Sequence, residues 1–189
     1  MDLRGDIWPG SPSAGTGDEQ MTRVARIGFP RESRLQARLP AATYLDAFEA
    51  ELEDIVLTPV QIAARALAAT PAWVEGMLAL RDRLVAPLGI KTVGRLGDVP
   101  KREARPPVPG DRLSIFHIET LDDREVVLGI DDSHLDVRIS FLKRPGSLKT
   151  TYVVCSLVQT HNLLGRAYMI PVAPFHRLLV ATMMRRVRL

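Results

Sequence analysis

The sequence predicts an α+β domain: a pair of helices, then a run of antiparallel strands, then a closing C-terminal helix. Three observations carry this. Thr58-Pro59 and Thr70-Pro71 each place a hydroxyl at a helix N-cap and a proline at the first helical position. After Asp111 apolar residues recur at every second position, in segments joined by short turns, which requires antiparallel pairing. The final stretch, PVAPFHRLLVATMMRRVRL, returns to a helical period.

Taken in order, residues 1–22 read as a disordered leader or upstream extension, with the breaker-rich GSPSAGTG at 10–17 and Met21 as good a start as Met1. A single domain is expected over 37–189. LPAATYLDAFEAEL gives a short extended lead-in and an amphipathic patch of Tyr44, Leu45, Phe48 and Leu52. The first helix is expected from Thr58-Pro59 to about Ala68. The second carries Trp73, Met77, Leu80, Leu84 and Leu88 and stops near Gly89. Residues 94–111, rich in proline and glycine, form a connector, read as a loop or lid over the sheet.

Strands follow. Leu113, Ile115 and His117 alternate in the first, and Asp122-Asp123 turns it into Val126, Leu128 and Ile130. Leu135, Val137, Ile139 and Phe141 form the third, ended by Pro145-Gly146. Thr151 to Thr160 form the fourth, and Arg166 to Ile170 a fifth. In the last helix Val172, Phe175, Leu178, Leu179, Thr182 and Met183 are expected inward. Arg177, Arg185 and Arg188 stay wet, the basic end complementing the helix dipole. This element order is that of a helix-grip fold, in which a curved sheet wraps the last helix.

Composition narrows the functional classes. The 189 residues suit one domain with a real core, and 46% apolar with 25% charged residues is ordinary globular usage. Residues 1–20 carry −3 (Arg4 against Asp2, Asp6, Asp18 and Glu19), leaving +6 of the net +3 on the rest. That excess is small and dispersed, without a stacking platform, so nucleic acid is not an expected partner. Cys155 is the only cysteine, which rules out an internal disulfide and fits a reducing compartment. No signal-peptide core and no stretch of roughly 20 apolar residues is present, so a cytoplasmic protein without a membrane span is expected.

Three segments, PAWVEGMLALRDRLVAPLGIKT (71–92), VVLGIDDSHLDVRISF (126–141) and THNLLGRAYMIPVAPFHRLLV (160–180), resemble the bacterial family called domain of unknown function 2867, over roughly residues 37–189. The resemblance implies a place in the START-like, birch-pollen-allergen-like helix-grip superfamily. Some members sit behind a short-chain-dehydrogenase-like nucleotide-binding domain. Here GRLG at 94–97 is too short to count as its Gly-rich turn, so no cofactor is expected. The resemblance implies at most a separately encoded oxidoreductase partner, and it implies no activity.

Polar constellations supply the candidate sites. On the strand from 134, Asp132, His134, Asp136, Arg138 and Ser140 share one face. His134 between two carboxylates, beside Arg138, fits a general base or part of a metal site; it fits equally a solvated sheet face with a turn and an ion pair. His161, Arg166 and Tyr168 fit a binding site for an anionic or carbonyl group at a cavity mouth, while Asn162 and Gly165 fit a hairpin turn. His117 reads as a satisfied half-buried histidine that also faces a cavity. His176 reads as a capping or surface residue beside core Phe175. No HxxxH, HxH or GxSxG spacing occurs, so no metal site or serine nucleophile is expected, and Cys155 among valines reads as an inert filler.

The leading expectation is a binding module for a small, largely apolar ligand between sheet and last helix, oriented by His117, His134, Arg166 and Tyr168. The alternatives are an enzyme of hydrolase, cyclase or isomerase type using His134 with Asp132 or Asp136, and an accessory subunit serving an oxidoreductase.

Overall fold

The computed structural model describes residues 23–85, 97, 105–147 and 149–187. The expected leader, the helix stop near Gly89 and most of the 94–111 connector lie outside them. Within them, β1 (Val24–Arg26) and β2 (Tyr44–Glu51) come before α1 (Pro59–Ala68) and α2 (Ala72–Val85). Then follow β3 (Arg112–Leu113), β4 (Phe116–Leu121), β5 (Glu125–Asp131), β6 (Leu135–Arg144), β7 (Thr151–Thr160) and α3 (Leu163–Arg186). The strands form one antiparallel sheet, ordered β1-β2-β7-β6-β5-β4-β3.

The meander β4 to β7 follows the alternating pattern and its turns, and α1 starts where its Thr-Pro pair predicts. Thr58 Oγ1 accepts from Gln61 N, and the Gln61 side chain accepts from Thr58 N, a reciprocal capping box. The second Thr-Pro pair behaves differently. The Thr70 hydroxyl donates back to Leu67 O at 2.6 Å, and the next helix begins at Ala72.

Four expectations need correction. First, two strands precede the helix pair. In β2 the spacing of Tyr44, Leu45, Phe48 and Leu52 imitates a helix, but pairing with β7 along Tyr44↔Val158 to Glu51↔Thr151 makes it a central strand. Second, residues 113–118 are not one strand: β3 turns through Ser114, at φ 58°, into β4. Third, Arg166 to Ile170 are not a strand but the first turns of α3, capped by Asn162, whose Oδ1 accepts from Gly165 N at 2.9 Å. Pro171 and Pro174 lie inside that helix. The carbonyls they leave without an N–H partner belong to Ala167 and Ile170, both at exposed positions where water can replace the bond. Fourth, two of the positions expected inward on α3 face outward, while Val172, Leu179 and Thr182 are half-buried and Met183 is buried. Phe175 and Leu178 are 51% and 53% exposed, whereas Val180, Met183 and Met184 are buried.

Both faces of the sheet are covered. On one, Phe48, Ala50, Val126, Leu128, Phe141 and Val154 pack against α1 and α3. α1 lies over β5 and β6; α3 lies over β1, β2 and β7. On the other, Ala47, Val127, Leu142, Val153, Cys155 and Leu157 pack beneath Ile27, Phe29, Leu35 and Leu39. Residues 27–42 thus form a strap carrying a short 3-10 helix, Arg34–Ala41. Cys155 lies under it, and burial pushes its thiol up to about 12, which keeps it unreactive. Among the described residues no helix is long and apolar enough to cross a membrane.

Candidate functional site

The register of β2 on β7 puts Tyr44, Asp46, Tyr152, Ser156 and Thr160 on the face that α3 crosses. Asp46 has no exposed side-chain surface. Its Oδ2 accepts from the Tyr44 hydroxyl at 2.5 Å and lies 3.1 Å from His176 Nδ1 on α3. Tyr44 and His176 meet edge to face, centroids 5.7 Å apart, and the Arg177 guanidinium lies 5.7 Å over the Tyr44 ring.

Burial works against the charge on Asp46. Hydrogen bonding from His176 Nδ1 and the Tyr44 hydroxyl, with the neighbouring Ser156 hydroxyl, outweighs it and holds the carboxyl below its ordinary value. Burial and the adjacent carboxylate push the Tyr44 hydroxyl up to about 12, so it remains a donor. Because an ionised carboxylate only accepts, His176 Nδ1 must carry the proton it shares with Asp46.

Two buried polar atoms on this face, Tyr152 Oη and Thr160 Oγ1, have no hydrogen-bond partner among the described residues, and Asp46 Oδ1 and Ser156 Oγ, on residues directly opposite each other, make no well-formed hydrogen bond. The floor beside them is apolar. Ile139 lies opposite Ser156, Val137 opposite Val158, and Ile130 opposite Val137. All three are only half-buried.

A pH dependence follows from Asp46. Its folded-state value is depressed, so its contribution is complete above the ordinary carboxylate value of about 3.9 and is lost as pH falls through the folded value. Asp46→Asn is expected to cost about 1–3 kcal/mol near pH 7. Denaturant unfolding of variant and wild type at a series of pH values should show the difference shrinking below pH ~4.

The structure brings two of the sequence-predicted groups to one end of the sheet. His134 N–H-acceptor chemistry is satisfied locally, with Nδ1 3.1 Å from the Asn162 amide, while His134 O accepts from His161 N at 2.9 Å. Asp136 Oδ1 lies 3.1 Å from His161 Nε2. Asp132 Oδ1 accepts from its own turn, from Ser133 N and Oγ. Neither carboxylate bonds His134. Arg138 is on the strap side, 8% exposed, held by Glu119 at 2.7 Å and Asp131 at 2.5 Å. Gly129 lets that pair lie across β5: a Cβ there would sit 2.7 Å from Glu119 Oε1. His117 is exposed on β4, in register with Gly129. Arg166 is exposed on α3 and Tyr168 half-buried there. Among the described residues no three His, Cys, Asp or Glu side chains converge as metal ligands.

A family model described as Protein of unknown function (DUF2867) matches residues 38–183. The chain belongs to this family. No curated protein and no solved structure matches it. The DUF2867 match spans both halves of the buried cluster, from Asp46 on β2 to His176 on α3.

Sequence reasoning missed this cluster. Asp46 and His176 are 130 positions apart, so no local spacing links them. A weaker signal exists in the sequence of this DUF2867 chain. Asp46 in YLDAF and Ser156 in VVCSLV are each a lone polar residue inside an apolar run, and His176 with Arg177 interrupts the run FHRLLV.

Proposed function

We propose that this chain is a binding module for a small, largely apolar molecule, held between the sheet and α3 in a helix-grip arrangement. The order β2, two helices, five further strands and α3 agrees with that arrangement, as does the pairing of β2 with β7. The observation that carries the reading is the buried Asp46–Ser156 pair beneath α3, whose facing oxygens make no well-formed hydrogen bond. An unmade bond on a buried group costs about 1–3 kcal/mol, so a purely structural interface would seldom keep such a pair. A ligand, or water that a ligand displaces, supplies the missing partners. The half-covered Ile130, Val137 and Ile139 offer the apolar contact that such a site needs.

Native mass spectrometry of protein from its own host, with uptake of anilinonaphthalene sulfonate after mild extraction, tests this. A retained small molecule, or stoichiometric dye binding by the folded protein that Ile139→Trp abolishes, is expected. No retained mass together with no dye binding by the wild type refutes the reading.

A further inference from the structure

We propose that His176 Nε2 is a proton-accepting atom of the site beneath α3, and that the molecule held there presents a weakly acidic hydroxyl, of phenol or enol type, to it. This deepens the binding reading and rests on it. Three observations lead to the assignment. Nδ1 of His176 is committed to Asp46 Oδ2 at 3.1 Å, so the neutral ring carries its proton on Nδ1 and its lone pair on Nε2. Nε2 has no partner among the described residues, and the His176 side chain is 18% exposed while Asp46 is fully covered. A small molecule can therefore reach the histidine but not the whole carboxylate. The imidazole is also held from two further sides: Tyr44 donates to the same Oδ2, and its ring stands edge-on to His176.

The groups around the ring suit the transfer. On β2 these are Asp46 and Tyr44, on β7 Ser156, and on α3 itself Arg177 over the Tyr44 ring. When Nε2 takes the hydroxyl proton, the O–H bond breaks, an N–H bond forms, and the ligand keeps the electron pair as an oxyanion. The new imidazolium is already paired with the Asp46 carboxylate, so no further counter-charge is required. The proton returns from Nε2 when the ligand leaves, or goes to a carbon of an enolate, completing a tautomerisation without any co-reactant.

The test uses 4-nitrophenol, whose anion absorbs in the visible, with the full-length protein at about one pH unit below the probe's own half-ionisation. The bound probe is expected to ionise about tenfold more readily than free probe, a shift of about one unit. His176→Phe and His176→Gln should bind the probe without the anion band. Nitrogen-15 spectra of histidine should show the Nδ1–H tautomer for His176, lost in Asp46→Asn, which a residue that merely fills space would not display. Probe bound in its neutral form overturns the proton-accepting role and leaves the binding reading standing. Dye binding without 4-nitrophenol binding overturns the hydroxyl-bearing ligand class alone. Binding of neither overturns both.

Discussion

Gly165→Ala is expected to destabilise the protein by about 2–3 kcal/mol, although alanine in a helix ordinarily stabilises by up to ~1 kcal/mol over glycine. The sign comes from one close approach. A Cβ at Gly165 would sit 2.2 Å from the carbonyl oxygen of His134 and 3.3 Å from Cβ of Thr160. The first is backbone, in the turn between β5 and β6, and that oxygen also accepts from His161 N. Neither strand end nor turn can yield without breaking the junction where β7 passes into α3. The expected outcome is a lower unfolding midpoint, with faster amide exchange concentrated in the first two turns of α3. Those turns lead into the part of the helix that roofs Asp46 and carries His176, so retention of any bound molecule should fall as well. Unchanged or raised stability would mean that α3 does not dock on the β5–β6 turn as described.

The same junction shows why part of the fold was hidden in the sequence. β5 and β6 were legible because alternation survives in them: Val126, Leu128 and Ile130, then Val137, Ile139 and Phe141, all point toward the helices. β7 was legible from its β-branched residues although both its faces are covered, those residues fitting a pleated surface whatever lies above it. β2 was not. Its faces are both covered too, and its composition of Ala, Asp and Glu has little strand preference, so only pairing with β7, more than a hundred residues later, decides it. In α3 two prolines looked like a helix start and stand instead in the helix interior. Their cost is borne where the helix faces water.

The candidate site was lost for the same physical reason. The polar residues that stand out locally, Asp132, His134 and Asp136, stand out because they lie in and beside an exposed turn. The buried polar cluster is assembled across three elements, Tyr44 and Asp46 on β2, Ser156 on β7 and His176 on α3, and its members are visible only once the faces of β2, β7 and α3 are known. Sequence patterning separates inside from outside along one element; it carries little about which inside residues of different elements meet.

Glu125→Ala is expected to cost about 3 kcal/mol or more, and to release the strap before the rest of the fold. The Glu125 side chain is buried at the start of β5, on the face opposite α3. Its Oε1 accepts from Ser33 Oγ at 2.7 Å and from Ser140 Oγ at 2.5 Å, and its Oε2 from Arg34 N at 2.8 Å. Removing it strands three donors and leaves a void. Besides the apolar packing of Leu35 and its neighbours, the strap's other side-chain ties to the sheet are ion pairs at or near the surface: Arg34 with Asp122, Arg38 with Glu119 and Glu32 with Arg144. Each of those contributes at most about 1 kcal/mol. Glu125→Gln should fall between, because one acceptor oxygen remains while the amide opposes donors with donors. The readout is the thiol of Cys155, which lies beneath the strap and is the only cysteine. In the wild type, labelling by a disulfide reagent should require global unfolding. In Glu125→Ala it should run faster by about an order of magnitude under conditions where the sheet stays folded, as local opening at lower free energy requires. Labelling that still tracks global unfolding would show that the strap is not latched at Glu125. Retention of a molecule beneath α3 should barely change in this variant, because the sheet stands between the two sites, whereas Gly165→Ala should affect that retention and leave Cys155 covered.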